Sequence, residues 1–267
     1  MLTKKPMTLS NGKQITPKRS FVPLYIALVL AFSILSIRVT DFSLATLIAR
    51  GQQFNVILSQ LFDVKWSFVH KVWQPLLETI KMSLLGSLLG SIVALPLAML
   101  SSANIVRNKF VAGFFKFLLS VLRTLPTLVV ALIATFIVGL GSFAGTIAIF
   151  IFTISYVGKV MYEQIENIDM RTFEALESFG LTKFQAFRYS VLSEILPNFM
   201  STSLYCFEGN VRYASILGYV GAGGLGLLLN ERLGWRDYGS VGAILVTLVV
   251  TVVLIETLSE TIRQKLQ

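Results

Sequence analysis

The chain has 267 residues, 54% hydrophobic and 14% charged, with a formal net charge of +9 and a mean hydropathy of +0.73. Soluble domains carry about 25% charged residues, so these are too few to wrap a water-soluble core, and a typical soluble enzyme is excluded. Its 20 Phe, 8 Tyr and 3 Trp exclude disorder, the lone Cys206 excludes a disulfide framework, and one His with one Cys leaves almost no room for zinc clusters or Cys/His catalysis.

A spanning helix needs about 20 apolar residues to cover roughly 30 Å of hydrocarbon. Residues 1–20 form a basic tail with Lys4, Lys5, Lys13, Lys18 and Arg19, which the positive-inside rule places in the cytoplasm. Residues 21–37 are the first span. Their length and the absence of a small-residue cleavage site separate them from a signal peptide. Residues 38–75 are expected outside. There Leu44, Leu47, Ile48, Phe54, Ile57, Leu58 and Leu61 recur at helical spacing, which suits either a helix on the membrane surface or a connector packed on the bundle. His70 reads as a surface loop residue.

Residues 76–262 form the main transmembrane domain. Residues 82–106 lie uncharged between Lys81 and Arg107, and within them Gly86, Gly90 and Ser91 permit close helix approach while Pro96 permits a bend. The uncharged run 124–158 is too long for one helix and breaks at Gly139, Gly141 and Ser142, which predicts a tight hairpin of two spans. Residues 195–217 and 238–255 complete about six. The glycines at 218, 221, 223, 224 and 226 make the intervening external segment, 218–236, a poor helix. With the tail inside, the cytoplasmic segments hold most of the 23 Lys and Arg, so the charge reports topology; residues 263–267 then return to the cytoplasm. No basic stripe interleaved with aromatics marks a nucleic-acid partner.

Gly221, Gly223 and Gly226 match G-x-G-x-x-G, but the strand before it and the acidic residue about 20 positions after it are missing, so no dinucleotide site is read. No phosphate-binding G-x-x-x-x-G-K-[ST] occurs either, so any ATP must be bound by a partner. Glu208 and Arg212 stand four apart in an expected span, where they can pair on one helical face. A structural lock and a place on a transport path are both open readings. Arg123, ahead of Leu125-Pro126, reads as an interfacial anchor or as a cation facing an anionic substrate. Cys206 reads as a packing residue. The mixed-charge loop 163–197 has the character of a docking surface: residues 171–179 are helical in pattern, Gly180 is a C-cap, and Thr182 can start a second helix.

Glu174-Ala175-Leu176, then Gly180, Leu192 and Leu196-Pro197, resemble the EAA loop of ABC importer permeases. Leu176 replaces an Ala, and Ser190 and Ser193 stand where that loop usually has an aliphatic residue and a proline. Leu77-Glu78-Thr79-Ile80, Leu122-Arg123-Thr124-Leu125-Pro126, Phe207-Glu208-Gly209-Asn210-Val211-Arg212 and Leu217-Gly218-Tyr219-Val220-Gly221-Ala222-Gly223-Gly224-Leu225-Gly226 are similar to the phosphonate permease type, PhnE.

The resemblance implies an all-α polytopic protein with a MetI-like permease core in the bacterial inner membrane, both termini cytoplasmic. It implies a homodimer that moves phosphonate, phosphite or phosphate by alternating access. It also implies two cytoplasmic ABC ATPase subunits that hold ATP and Mg, and an extracytoplasmic binding protein; this chain itself is then no enzyme and holds no cofactor or metal. Glu174, Ala175, Leu176, Gly180, Leu181 and Thr182 are the expected ATPase-coupling residues. Glu208, Arg212 and Arg123 are substrate-path candidates, and Gly221, Gly223, Gly224 and Gly226 are expected at a gate or at the binding-protein contact. A methionine-type importer is the alternative within the class. A secondary transporter or channel without ATPase subunits would carry internal repeats that this sequence lacks.

Overall fold

The computed structural model describes residues 7–8, 14–15, 21–40 and 42–266. The five basic residues of the tail lie outside the described residues. The chain divides into two units, residues 1–56 and 57–267. In the first, Met7–Thr8 pairs antiparallel with Gln14–Ile15, and helix α1 (Val22–Val39) follows. α1 has Pro at its start, is apolar up to Arg38 in its last turn, and has none of its residues buried. Helix α2 (Leu44–Phe62) realises the expected periodicity and runs across the division between the units.

The second unit is a helical bundle of α3 (Val69–Ser101), α4 (Lys109–Thr124), α5 (Thr127–Val138), α6 (Ser142–Asn167), α7 (Arg171–Ser178), α8 (Lys183–Phe187), α9 (Ser193–Leu217), α10 (Gly224–Gly234) and α11 (Tyr238–Leu266). Among the described residues four helices are long and apolar enough to cross a membrane, and two bent pairs bring the number to as many as 6, in keeping with the expected count.

Several expected boundaries shift. α3 begins well before residue 82 and carries Lys71, Glu78 and Lys81 in its first turns, with His70 exposed there rather than in a loop. The limb before the Gly139–Gly141 break is not one straight span: α4 and α5 meet at 89° where Pro126 interrupts the backbone. The loop 163–197 shrinks, because α6 stays helical to Asn167 and α9 starts at Ser193. The glycine segment is not wholly irregular either, since α10 opens at Gly224 and sits at 52° to the helix before it.

Side-chain size fixes the centre of the bundle. Helices in lipid gain nothing by hiding apolar groups from an apolar solvent, so close approach through small residues takes over. A Cβ on Gly86 would lie 2.7 Å from Ile149 Cγ2, and one on Gly90 would lie 2.6 Å from Thr153 Cβ, so α3 and α6 meet along a seam with no space for a methyl group. Ala94 and Gly158 continue it, with Leu119 of α4 laid against Gly158. Met82, Ala131, Ala148, Ile149, Ala214 and Leu217 fill the next layer, and Phe68, Val72, Leu76, Leu225, Ala243 and Ile244 the one beyond. Toward the middle of α3 and α11 the outward side chains are mainly aliphatic, with Leu84, Leu88, Ile92, Val249, Val253 and Leu254 exposed.

The seam makes a stability prediction. Gly90→Ala forces Thr153 and the Phe150 carbonyl apart and should destabilise the detergent-solubilised protein by about 1–3 kcal/mol in thermal unfolding. Gly113→Ala in α4, where nothing lies within 4 Å of the new methyl group, should instead be neutral or stabilising by up to about 1 kcal/mol. Equal melting of the two variants would rule out a tight seam.

Candidate functional site

The α7–α8 corner is built from two adjoining caps. At the end of α7 the Leu181 N–H donates to the Leu176 carbonyl and the Gly180 N–H to the Glu177 carbonyl, with Gly180 at φ +91°. That is the Schellman pattern, in which the residue after the cap takes a left-handed conformation that only glycine adopts freely. It also gives Leu176 and Leu181 a reason, because an apolar contact between those two positions commonly closes the motif. One residue on, Thr182 caps α8: its Oγ1 accepts from the Gln185 N–H at 3.4 Å, and Gln185 Oε1 accepts from the Thr182 N–H at 3.0 Å. The turn is therefore held by backbone hydrogen bonds at its α7 end and by a side-chain capping box at its α8 end.

At the other end of α7, Arg171 Nε donates to both Asp169 oxygens, at 3.0 and 2.8 Å, and this grip holds the Asp169 carboxyl below its ordinary pKa. None of α7 is buried. Glu174, Ala175, Gly180 and Thr182 are exposed, Leu176 and Leu181 half-buried, and Phe179 and Phe184 are 83% and 71% exposed. α8 then runs through a π-helical turn, Arg188–Leu192, into α9. Ser190 Oγ and Ser193 Oγ both donate to carbonyls four residues back, at 2.8 Å. The two serines thus bond back onto the π turn just ahead of Pro197.

Along α9 the expected ion pair does not form. Glu208 is 3% exposed and its carboxylate faces Arg263 of α11 at 3.4 Å, while Arg212 is exposed and forms no ion pair with any described carboxylate. A buried carboxylate is stabilised most by a cation that shares its poorly solvated surroundings, and a solvated Arg212 is a weaker partner. Arg263, expected only as part of the exit into water, was missed; a long guanidinium on a helix that outruns the apolar segment can reach back into it.

Asn210, two positions beyond Glu208, also went unassigned. Buried at 1% exposure, its Nδ2 donates to Ser87 Oγ at 2.8 Å and to Thr153 Oγ1 at 3.0 Å, so it ties α9 to both helices of the glycine seam. An amide in an apolar span was the available signal. Cys206 packs beside it, buried as expected. Arg123 is exposed at the end of α4, next to the sharp bend.

The glycine segment turns inward. Gly223, Gly224 and Gly226 are buried and Gly221 is half-buried, so three of the four offer no surface of their own to a partner. Gly221 accepts from the Gly141 N–H at 2.9 Å, and the Leu225 N–H donates to Thr79 Oγ1 at 2.7 Å. Gly218 and Gly226 let α10 cross the end of α9 backbone to backbone, since a Cβ on Gly218 would fall 2.0 Å from the Gly226 carbonyl carbon. The Leu77–Ile80 and Leu217–Gly226 stretches, far apart in sequence, thus close one end of the bundle together. No group of His, Cys, Asp and Glu among the described residues could hold a metal ion.

Comparison with known proteins agrees with this architecture. A phosphite transport system permease protein, PtxC of Stutzerimonas stutzeri, is 32% identical over 73% of this chain and 71% of its own length. A putative cryptic phosphonate transport system permease protein, PhnE2 of Escherichia coli strain K12, is 36% identical over 44% of this chain and 97% of its own. A chain of the inward-facing MetNI methionine ABC transporter shares the fold, with a TM-score of 0.66 and 22% identity over 73% of this chain and 96% of that one. Residues 86–267 match the binding-protein-dependent transport system inner membrane components, and the chain belongs to that family.

Proposed function

We propose that this chain is the permease subunit of an ATP-driven importer, working as a homodimer with two cytoplasmic ATPase subunits and an extracytoplasmic binding protein. Its cargo is a phosphorus oxyanion: phosphite, a phosphonate or phosphate. Relatives at 30% identity or more that bear phosphite, phosphonate and phosphate names support the cargo class. Both termini lie in the cytoplasm, as the basic residues of the tail favour. ATP and Mg belong to the partner subunits.

The observation that carries the coupling role is the α7–α8 corner. It is short, exposed, capped at both ends, and joined through the π turn to α9. Glu174, Ala175, Leu176, Gly180, Leu181 and Thr182 present it to the ATPase. Closure of the ATPase pair pushes on a lever that does not bend, and α9 tilts against the seam, which exchanges access between the two sides of the membrane. Glycines 221, 223, 224 and 226, three of them buried, act at the opposite end as the joint about which the outer closure forms. On α9, Glu208 is committed to Arg263, which leaves Arg212 as the cation for the substrate path, with Arg123 as a second.

Two measurements test this. In proteoliposomes with the ATPase and binding protein, Gly180→Val should abolish phosphite or methylphosphonate uptake and binding-protein-stimulated ATP hydrolysis while expression is kept; Gly180→Asn, which tolerates the left-handed backbone, should retain part of both. Normal uptake by Gly180→Val would sink the coupling role. In thermal unfolding, Arg263→Gln should destabilise by about 3–5 kcal/mol by stranding a buried carboxylate, and adding Glu208→Gln should restore most of the loss. Arg212→Gln should melt as the unmodified chain; if it is the destabilising one, Arg212 is the structural partner.

A further inference from the structure

Polar side chains are spread unevenly over the outward surface of the bundle. Through the second half of α3 and the first half of α11 the outward side chains are mainly leucine, isoleucine and valine, which lipid accepts. The exposed charges Lys71 and Lys81 lie in the first four turns of α3, and Glu256 and Glu260 in the last few turns of α11. α9 differs. Tyr205, Tyr213 and Tyr219 are 54%, 55% and 51% exposed, Arg212 is exposed between them, and Tyr219 stands in the 3-10 turn that prolongs the helix. Positions 205, 212 and 219 stand seven residues apart, about two helical turns, so they line one side of α9 as rungs roughly 10 Å apart, with Tyr213 beside Arg212. At the lower end the line runs into a cavity of about 560 Å³ bordered by Tyr205, Tyr156, Ser201, Thr202 and Arg263, where Ser201 Oγ is buried with no hydrogen-bond partner. From Thr202 to Tyr219 the distance is about 26 Å, close to the thickness of the hydrocarbon layer.

We propose that Tyr205, Tyr213 and Tyr219, together with Arg212, are the oxyanion-selecting rungs of a lane along α9, closed on its far side by the same face of a second copy. The proposal rests on the homodimeric importer reading and adds the residues that sort the cargo. An exposed guanidinium and three phenols are a costly surface to turn toward lipid. Nor can two such faces close dry against each other, because the two Arg212 side chains repel. Water and an anion between them relieve both penalties, and the doubled positive potential draws in an anion.

The chemistry suits a tetrahedral phosphorus oxyanion. Phenol O–H and guanidinium N–H groups donate to its oxygens, and the tyrosine rings accept the apolar substituent of a phosphonate. The acid of the same helix is kept out of the lane, since Glu208 is buried against Arg263. Glu260, which also borders the cavity, has its Oε1 engaged by Gln264 at 3.5 Å.

Phenylalanine separates the hydroxyl from the packing of the ring. In proteoliposomes with the ATPase and binding protein, Tyr205→Phe/Tyr213→Phe and Arg212→Gln should each lower maximal uptake of methylphosphonate and phosphite about tenfold, the effect of losing a hydrogen bond to a charged group. The half-saturating concentration, set by the binding protein, and ATP hydrolysis stimulated by it should stay unchanged. Gly209 lies on the same side of α9 with only Tyr213 near a new side chain, at 4.0 Å, so Gly209→Cys should fold and be joined to its counterpart in membranes by a short bismaleimide. Unmodified uptake by both rung variants overturns the lane, and so does the absence of the cross-link. If the unmodified chain moves neither anion yet Gly209→Cys cross-links, it is the cargo assignment that fails and the facing of the two α9 helices that survives.

Discussion

The α3–α6 seam is the constraint on which the rest of the bundle depends. Two helices can lie this close only where Gly86 and Gly90 oppose Ile149 and Thr153, and the approach places Ser87 and Thr153 within reach of one amide, Asn210. A hydrogen-bonded amide in an apolar interior is directional where dispersion contacts are not. It therefore fixes the rotation of α9 about its own axis as well as its distance from the seam. That rotation decides which α9 residues are buried, including Glu208 and Cys206, and which face outward, including Arg212 and Tyr213. A close fit of two glycines against Ile149 and Thr153 thus orients the polar face of a third helix.

A second constraint acts at the α7–α8 corner, and it is local. Gly180 closes one helix and Thr182 with Gln185 opens the next, so the turn is set by hydrogen bonds among its own backbone and capping side chains. Such a turn transmits force because its hydrogen bonds must break before it bends. The π turn and the serine back-bonds lie between the corner and Pro197, inside the helical rod, so in the proposed importer a displacement of the corner would pass into α9 as a tilt.

What was legible in the sequence follows from the range of the forces involved. Spans could be read because charges end apolar runs, and the corner could be read because cap chemistry lies within a few residues. The Gly86 and Gly90 contact was legible as small residues in a span, although not the partner helix. The partner of Glu208 was not legible: Arg212, four residues away, was the nearest choice in sequence, whereas Arg263 comes from another helix and only packing brings it near. The 89° bend at Pro126 is hidden in the charge pattern because it falls at the start of the uncharged run 124–158, where no charge marks it. The amphipathic α4 before it, with Lys116 paired to Glu166 at 2.7 Å, belongs to the same limb. The glycines at 221–226 were recognised as poor helix formers, but their use is steric: they admit backbones and Thr79 where a side chain would intrude.

The separation of Glu208 from Arg212 links these observations to transport. Had the two paired on α9, their charges would have cancelled on one face and left little net potential for an anion. Burial of Glu208 against Arg263 places the negative charge between α9 and α11, where it holds two helices together, and leaves the positive charge outward among tyrosines. One pair of residues, four apart in sequence, thus serves two ends: the acid contributes cohesion and the base contributes potential. The division is enforced by the rotation that Asn210 fixes, so the packing of the seam and the electrostatics of the outward face are set by the same few atoms. Under the proposed alternating access, a tilt of α9 would carry Arg212 with it and move the positive potential along with the opening.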